Sequence, residues 1–249
     1  MLRQIFSDFL HAVQFLTRLP VHRWMHYDST AVLRSCRYFP AAGALVGLLT
    51  ALVFSALHAH LPTSIAVVGA IIAQVVITGA MHEDGLADAA DGLCGYATRE
   101  RAMEIMRDSR IGSYGAAALS LSLLARFAIY QELAKSADLT MPLIAACLLS
   151  RACAVMIMST TPNARTESAT SIPYSGGLPR SERPLFLIST LLVALILLHR
   201  HPLPIVAAAL ATAALRVFFL KRIGGHTGDC LGATIVITEL SALAALLFQ

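Results

Sequence analysis

Residues 63–93 read TSIAVVGAIIAQVVITGAMHEDGLADAADGL. Nearly twenty uncharged residues run straight into four carboxylates, Glu83, Asp84, Asp88 and Asp91, with no lysine or arginine among them. The apolar half is about the length that crosses a hydrocarbon core of ~30 Å as a helix. Continued as a helix, the acidic half places Asp84, Asp88 and Asp91 at i, i+4 and i+7 on one face, with Glu83 about a quarter-turn away as the outlying member. At ~6 Å and an effective dielectric of ~20, each like-charge pair costs ~3 kcal/mol. A cation must offset that repulsion, and carboxylate oxygens suit Mg²⁺ or Mn²⁺.

Composition extends this reading to the whole chain. Of 249 residues, 57% are hydrophobic and 14% charged, and the mean hydropathy is +0.68. Soluble domains carry about 25% charged residues, so the chain reads as an all-α, polytopic integral membrane bundle. About seven transmembrane helices are expected, near 40–61, 63–81, 112–134, 141–160, 184–199, 202–220 and 231–248. Residues 2–17, with Asp8 and His11 in a short mixed pattern, suit an N-terminal amphipathic helix lying in the interface rather than a cleavable signal. The chain forms one domain, 1–249. The cysteines at 36, 94, 147, 153 and 230 lack zinc-ligand or disulfide spacing and are expected to be small buried hydrophobes. Nothing in the pattern calls for nucleic acid.

Basic residues orient the bundle. Arg3, Arg18, Arg23, Arg34, Arg37, Arg99, Arg101, Arg107, Arg110, Arg165, Arg180, Arg183, Lys221 and Arg222 all fall on one side of the expected spans, whereas the opposite loops hold Lys135 and Arg200. The positive-inside rule assigns the rich side to the cytoplasm, and the acidic run opens there. Arg126, Arg151 and Glu239 fall near the middle of spans. Charges at that depth must pair, with Glu239–Arg151 the preferred pair, and Arg216 can snorkel. The histidines at 58, 60, 199 and 201 fall in outer loops.

Two further segments share the cytoplasmic side. In RERAMEIMRDSRIGSYG, residues 99–115, Arg107 and Arg110 are three apart on one helical face with Asp108 between them, suited to lipid phosphates or to a substrate phosphate. In KRIGGHTGDCLGA, residues 221–233, the glycines allow close backbone approach, notably at Gly225 and Gly228, and Thr227 or Asp229 can cap the next helix. A helix N-terminus with Lys221 and Arg222 nearby is a candidate anion site.

Five ordered motifs, FLTRLP (15–20), YFPAAGALVG (38–47), GAMHEDGLADAADGL (79–93), EIMRDSRIGSYG (104–115) and KRIGGHTGDCLGATIVITEL (221–240), resemble the bacterial cobalamin synthase family, the adenosylcobinamide-GDP ribazoletransferases. The segment NARTES keeps Ala164, Arg165 and Glu167 of a family loop without its tyrosine or glycine. The resemblance implies a multi-pass enzyme of the bacterial cytoplasmic membrane that uses adenosylcobinamide-GDP and α-ribazole, or α-ribazole 5′-phosphate, in the last assembly step of the cobalamin nucleotide loop. It leaves room for a homo-oligomer or a complex with other nucleotide-loop enzymes. On that reading Glu83, Asp84, Asp88 and Asp91 hold Mg²⁺. Arg107, Asp108, Arg110, Lys221, Arg222, Gly225, Thr227 and Gly228 contact substrate, and Asp91 or Asp229 takes the hydroxyl proton. Two rivals are a CDP-alcohol phosphatidyltransferase-like enzyme, whose pattern needs an arginine and a longer spacing after Asp84, and a cation transporter, which would spread its charges through the midplane.

Overall fold

A computed structural model describes residues 2–25, 28, 31, 34–95, 97–136, 138–165, 177–198 and 201–248. It contains no strand among these residues. In chain order the helices are α1 (Leu2–Leu16), α2 (Phe39–His58), α3 (Thr63–Thr78), α4 (Met81–Leu93), α5 (Arg99–Ile105), α6 (Ser113–Ser136), α7 (Thr140–Thr160), α8 (Arg183–Leu197), α9 (Leu203–Ile223) and α10 (Gly228–Ala245). His199, Arg200 and Glu167 lie outside the described residues.

All seven expected spans are helices, two of them shorter than a full crossing. Among the described residues, five helical stretches are long and apolar enough to cross a membrane, and α3 with α4 makes a sixth only as a pair bent by 85°. The 16 residues of α3 rise about 24 Å, and the 15 of α8 about 22 Å, both short of a ~30 Å core. The bend arises at two consecutive left-handed residues, Gly79 (φ 67°) and Ala80 (φ 59°). The Ala80 N–H reaches back to the Val75 carbonyl at 2.9 Å, closing α3 with a six-residue hydrogen-bonded turn. Arg18 packs where a Gly79 side chain would stand, and the Arg18 N–H donates to the Ile77 carbonyl at 2.7 Å. The N-terminal segment thus braces the corner.

Helix α1 packs on α2 through Leu10, Ala12, Val13 and Leu16, while Ile5 and Phe6 are exposed. Its buried Asp8 pairs with Arg34 at 3.0 Å. Helices α7 and α10 form the centre, and the outward faces of α6, α8 and α9 carry exposed Leu121, Leu124, Ile188, Ile196, Val206 and Leu210. That pattern suits lipid rather than water. Glycines let the central helices approach closely: a Cβ on Gly43 would stand 2.3 Å from the Cys147 carbonyl oxygen, and one on Gly47 would stand 2.4 Å from that of Leu143. Cys36, Cys147 and Cys230 are buried as expected, but Cys94 is exposed beyond the end of α4 and Cys153 is half-buried.

The interior is not purely apolar. Glu239 on α10 accepts from Arg151 of α7 at 2.8 Å, from Gln74 of α3 at 2.7 Å, and faces Arg126 of α6 at 3.5 Å. Arg126 also pairs with Glu83 of α4 at 2.9 Å, and the Tyr130 hydroxyl donates to the Gln74 side-chain amide oxygen at 2.7 Å. The expected Glu239–Arg151 pair is present, inside a larger network that joins five helices. Two arginines against two glutamates leave it neutral, as burial requires.

Removing one charge should therefore cost more than removing a pair. Arg126→Met should destabilise the detergent-solubilised protein by about 3–5 kcal/mol, and adding Glu83→Met should recover much of that loss. Denaturant unfolding of the two single variants and the double variant checks it; additive losses would contradict the pairing.

Candidate active site

Helix α4 is short and alternates alanines and glycines with acids, so its two faces differ sharply. Leu86, Ala89 and Leu93 are buried, whereas Asp84 is exposed and Asp88 and Asp91 are half-buried. The acidic face meets the start of α10. A Cβ on Gly85 would stand 3.0 Å from the Asp229 carbonyl oxygen and 3.2 Å from the Gly232 Cα, so only glycines allow this crossing.

The start of α10 is built by its own sequence. Thr227 caps the helix by accepting from the Cys230 N–H at 3.3 Å, and its hydroxyl donates to Asp229 at 3.1 Å. Gly224 closes α9 in the left-handed conformation at φ 74°. Gly225 is pressed against the Pro162 carbonyl, whereas Gly228 is exposed with no atom within 4 Å of where its Cβ would be.

His226 supplies a connection that the sequence did not reveal. Its N–H donates to the Pro162 carbonyl at 2.9 Å, and its own carbonyl accepts from Ala164 at 2.8 Å. Its ring nitrogen Nδ1 lies 2.9 Å from the Thr161 hydroxyl. Burial lowers its pKa, which keeps the ring neutral at physiological pH. This clip holds the segment after α7 against the loop before α10, and so delivers Arg165 to Asp229, Nη2 to Oδ2 at 2.7 Å. In sequence Arg165 stands out only as a basic loop residue that the family resemblance retains; its placement depends on a contact 64 residues away in the chain.

Asp88 is surrounded by acids. Partial burial raises its carboxyl first, and Asp84, Asp229 and Asp91 raise it further, to about 6, against the opposing pull of Arg165. Asp88 stands on the helix that turns away from α3, outside the spans. Among the described residues, no three His, Cys, Asp or Glu side chains form a ready-made metal shell. The donors still fit a hard cation: Asp84 and Asp88 present carboxylate oxygens, and Mg²⁺ commonly uses one or two carboxylates with water and substrate phosphates for the rest.

Several expected site residues sit elsewhere. Glu83 points into the bundle toward Arg126, so it leaves the metal set; one residue along a helix turns a side chain by about 100°. Asp91 accepts the backbone N–H groups of Gly112 at 2.7 Å and Gly115 at 2.8 Å, capping α6 rather than standing free as a ligand or base. Helix α5 ends at Ile105, so Arg107 and Arg110 do not share a helical face. Arg110 is tied to Asp108 at 3.0 Å, and those hydrogen bonds hold the Asp108 carboxyl down to about 2. Arg222 donates to the Gly95 carbonyl, and Arg99 to that of Ile223 at 3.0 Å, stapling the turn after α4 to the end of α9. Lys221 and Arg107 are exposed.

Comparison with known proteins is consistent along the full length. A family profile described as Cobalamin-5-phosphate synthase matches residues 8–247. A protein of Shewanella piezotolerans named adenosylcobinamide-GDP ribazoletransferase is 39% identical over 249 residues, covering 98% of this chain and 96% of its own. One of the same name from Vibrio parahaemolyticus is 38% identical over 242 residues, covering 96% and 91%. No solved structure matches the chain.

The aspartates should separate by stability. Asp91→Ala, which uncaps α6, should cost about 0.5–2 kcal/mol. Asp88→Asn, which relieves like-charge repulsion, should be neutral or stabilising. Thermal unfolding in detergent without divalent metal measures both, and the opposite ranking would contradict the assigned roles.

Proposed function

The chain belongs to the cobalamin-5-phosphate synthase family, and we propose that it catalyses the reaction its relatives are named for, as an adenosylcobinamide-GDP ribazoletransferase. The ribose 3′-hydroxyl of α-ribazole, or of its 5′-phosphate, attacks the cobinamide-bearing phosphorus of adenosylcobinamide-GDP. The new P–O bond forms as the bond to the bridging oxygen breaks; GMP leaves and a phosphodiester remains. Such a transfer demands positioning and charge stabilisation more than covalent chemistry from the protein.

The observation that carries this reading is the meeting of the α4 carboxylates with Asp229 and Arg165 at the start of α10. Asp84 and Asp88 would hold Mg²⁺, which when bound supplies neutralising charge for the departing GMP. Arg165 exchanges Asp229 for the diphosphate, whose oxygens match a guanidinium bidentately. Asp229, released by that exchange, accepts the proton of the attacking hydroxyl. Exposed Gly228 leaves room for a phosphate beside the first turn of α10. Asp91 and His226 hold the frame. The distribution of basic residues supports a site opening to the cytoplasm from the bacterial inner membrane.

Reconstituted protein given adenosylcobinamide-GDP, α-ribazole and Mg²⁺ should release GMP and form cobalamin. Asp84→Asn and Asp88→Asn should each abolish Mg²⁺-dependent transfer while unfolding at or above the wild-type temperature. Arg165→Gln should lower kcat by about 10²–10³, the usual loss for one donor to transition-state charge. No product from the wild-type protein would reject the transferase reading; near-normal turnover of both asparagine variants would reject the metal site alone.

A further inference from the structure

Helices α8 and α9 follow one another in the chain, yet both lean on α7 and make little contact with each other. Between them runs a slot of about 360 Å³, walled by residues that include Leu149, Met156, Leu187, Leu191, Ile205 and Ala209. Its lining surface is almost wholly apolar. Along α9 it extends from Ile205 to Arg216, which at the helical rise is about 16 Å. Because α7 and α9 are both long and apolar enough to be spans, such a slot opens sideways onto acyl chains rather than onto water.

One end is cationic. Arg216 donates from Nε to the Thr160 hydroxyl at 3.2 Å and from Nη2 to the Thr160 carbonyl at 3.2 Å. Thr160 is the last residue of α7, so the guanidinium reaches the level at which that span ends. Nη1 makes no hydrogen bond among the described residues. Arg183, the first residue of α8, stands at the same end. A long aliphatic slot closed by an arginine at the span boundary has the two-part chemistry of an acyl chain joined to a phosphate.

We propose that this slot is a binding site for one anionic phospholipid, with an acyl chain between α8 and α9 and its phosphate against Arg216. Charge at Arg216 selects the headgroup, and the aliphatic walls hold the chain whatever the headgroup. The site shares no side chain with the carboxylate cluster and does not depend on the transfer reaction.

Native mass spectrometry of delipidated protein, titrated with dioleoyl phosphatidylglycerol or dioleoyl phosphatidylcholine, tests it without reference to turnover. One phosphatidylglycerol should bind with about fivefold preference, the usual worth of one basic residue near an anionic headgroup. Arg216→Gln should abolish the preference and Arg216→Lys should retain it. Ala209→Phe, which fills the slot, should weaken both lipids at least tenfold; Ala213→Phe makes the same block nearer Arg216 should the first variant fail to fold. Equal binding of the two lipids by the wild-type protein, or unchanged binding after a folded block, would overturn the proposal. So would a wild-type dimer that Ala209→Phe dissociates, which would assign the slot to a second copy of the chain.

Discussion

Inside a membrane bundle an unpaired charge is intolerable, and Glu239 is where this protein meets that constraint. It sits on the central helix α10 with 1% of its side chain exposed, and Arg151 and Arg126 approach it from α7 and α6. Arg151 depends on it for its ion pair, and Arg126 divides its charge between it and Glu83. Gln74 donates to Glu239 as well, and the Tyr130 hydroxyl in turn donates to the side-chain amide oxygen of Gln74. The network fixes relative rotations and depths that greasy surfaces alone would leave loose, because apolar contacts are not directional and ion pairs are.

That rotation decides which carboxylates of α4 leave the bundle interior. Glu83 is locked inward by Arg126, so its neighbour Asp84 must turn outward, and Asp88 follows one turn later. The Gly85–Gly232 crossing then presses this face against the first turn of α10. Asp91 reaches past α4 to cap α6, while His226 fastens the segment carrying Arg165. The acidic cluster is therefore held on every side by groups that perform no chemistry themselves.

Much of this was legible in sequence, because hydropathy and charge spacing report directly on local geometry. The helices, the Asp84–Asp88 face, the Glu239–Arg151 pair and the capping Thr227 all follow from periodicity or from the cost of isolated charge. What escaped depends on tertiary placement. An uncharged run through Ala80 gives no hint that Gly79 and Ala80 both turn left-handed, so the second span was expected to run straight. Glu83 was grouped with its neighbours because helical spacing cannot say which side of a helix faces an arginine 43 residues downstream. Asp91 was expected to be free because its two donors belong to another helix. Arg165 lies in a loop without periodicity, and only the bridge between Asn163 and His226 reveals where it points.

The corner between α3 and α4 sets the depth of the chemistry. Residues Asp84 to Asp88 span about 6 Å of helix axis, but a helix turned by 85° converts nearly all of that advance into sideways travel relative to α3. The advance of the α4 axis between the two residues therefore changes their level along α3 by less than about 1 Å. Had α4 continued straight from α3, the same two residues would have differed in level by about 6 Å, a full helical turn. Two αL residues lay the acidic helix across the end of α3, and what still separates exposed Asp84 from half-buried Asp88 is the packing around each.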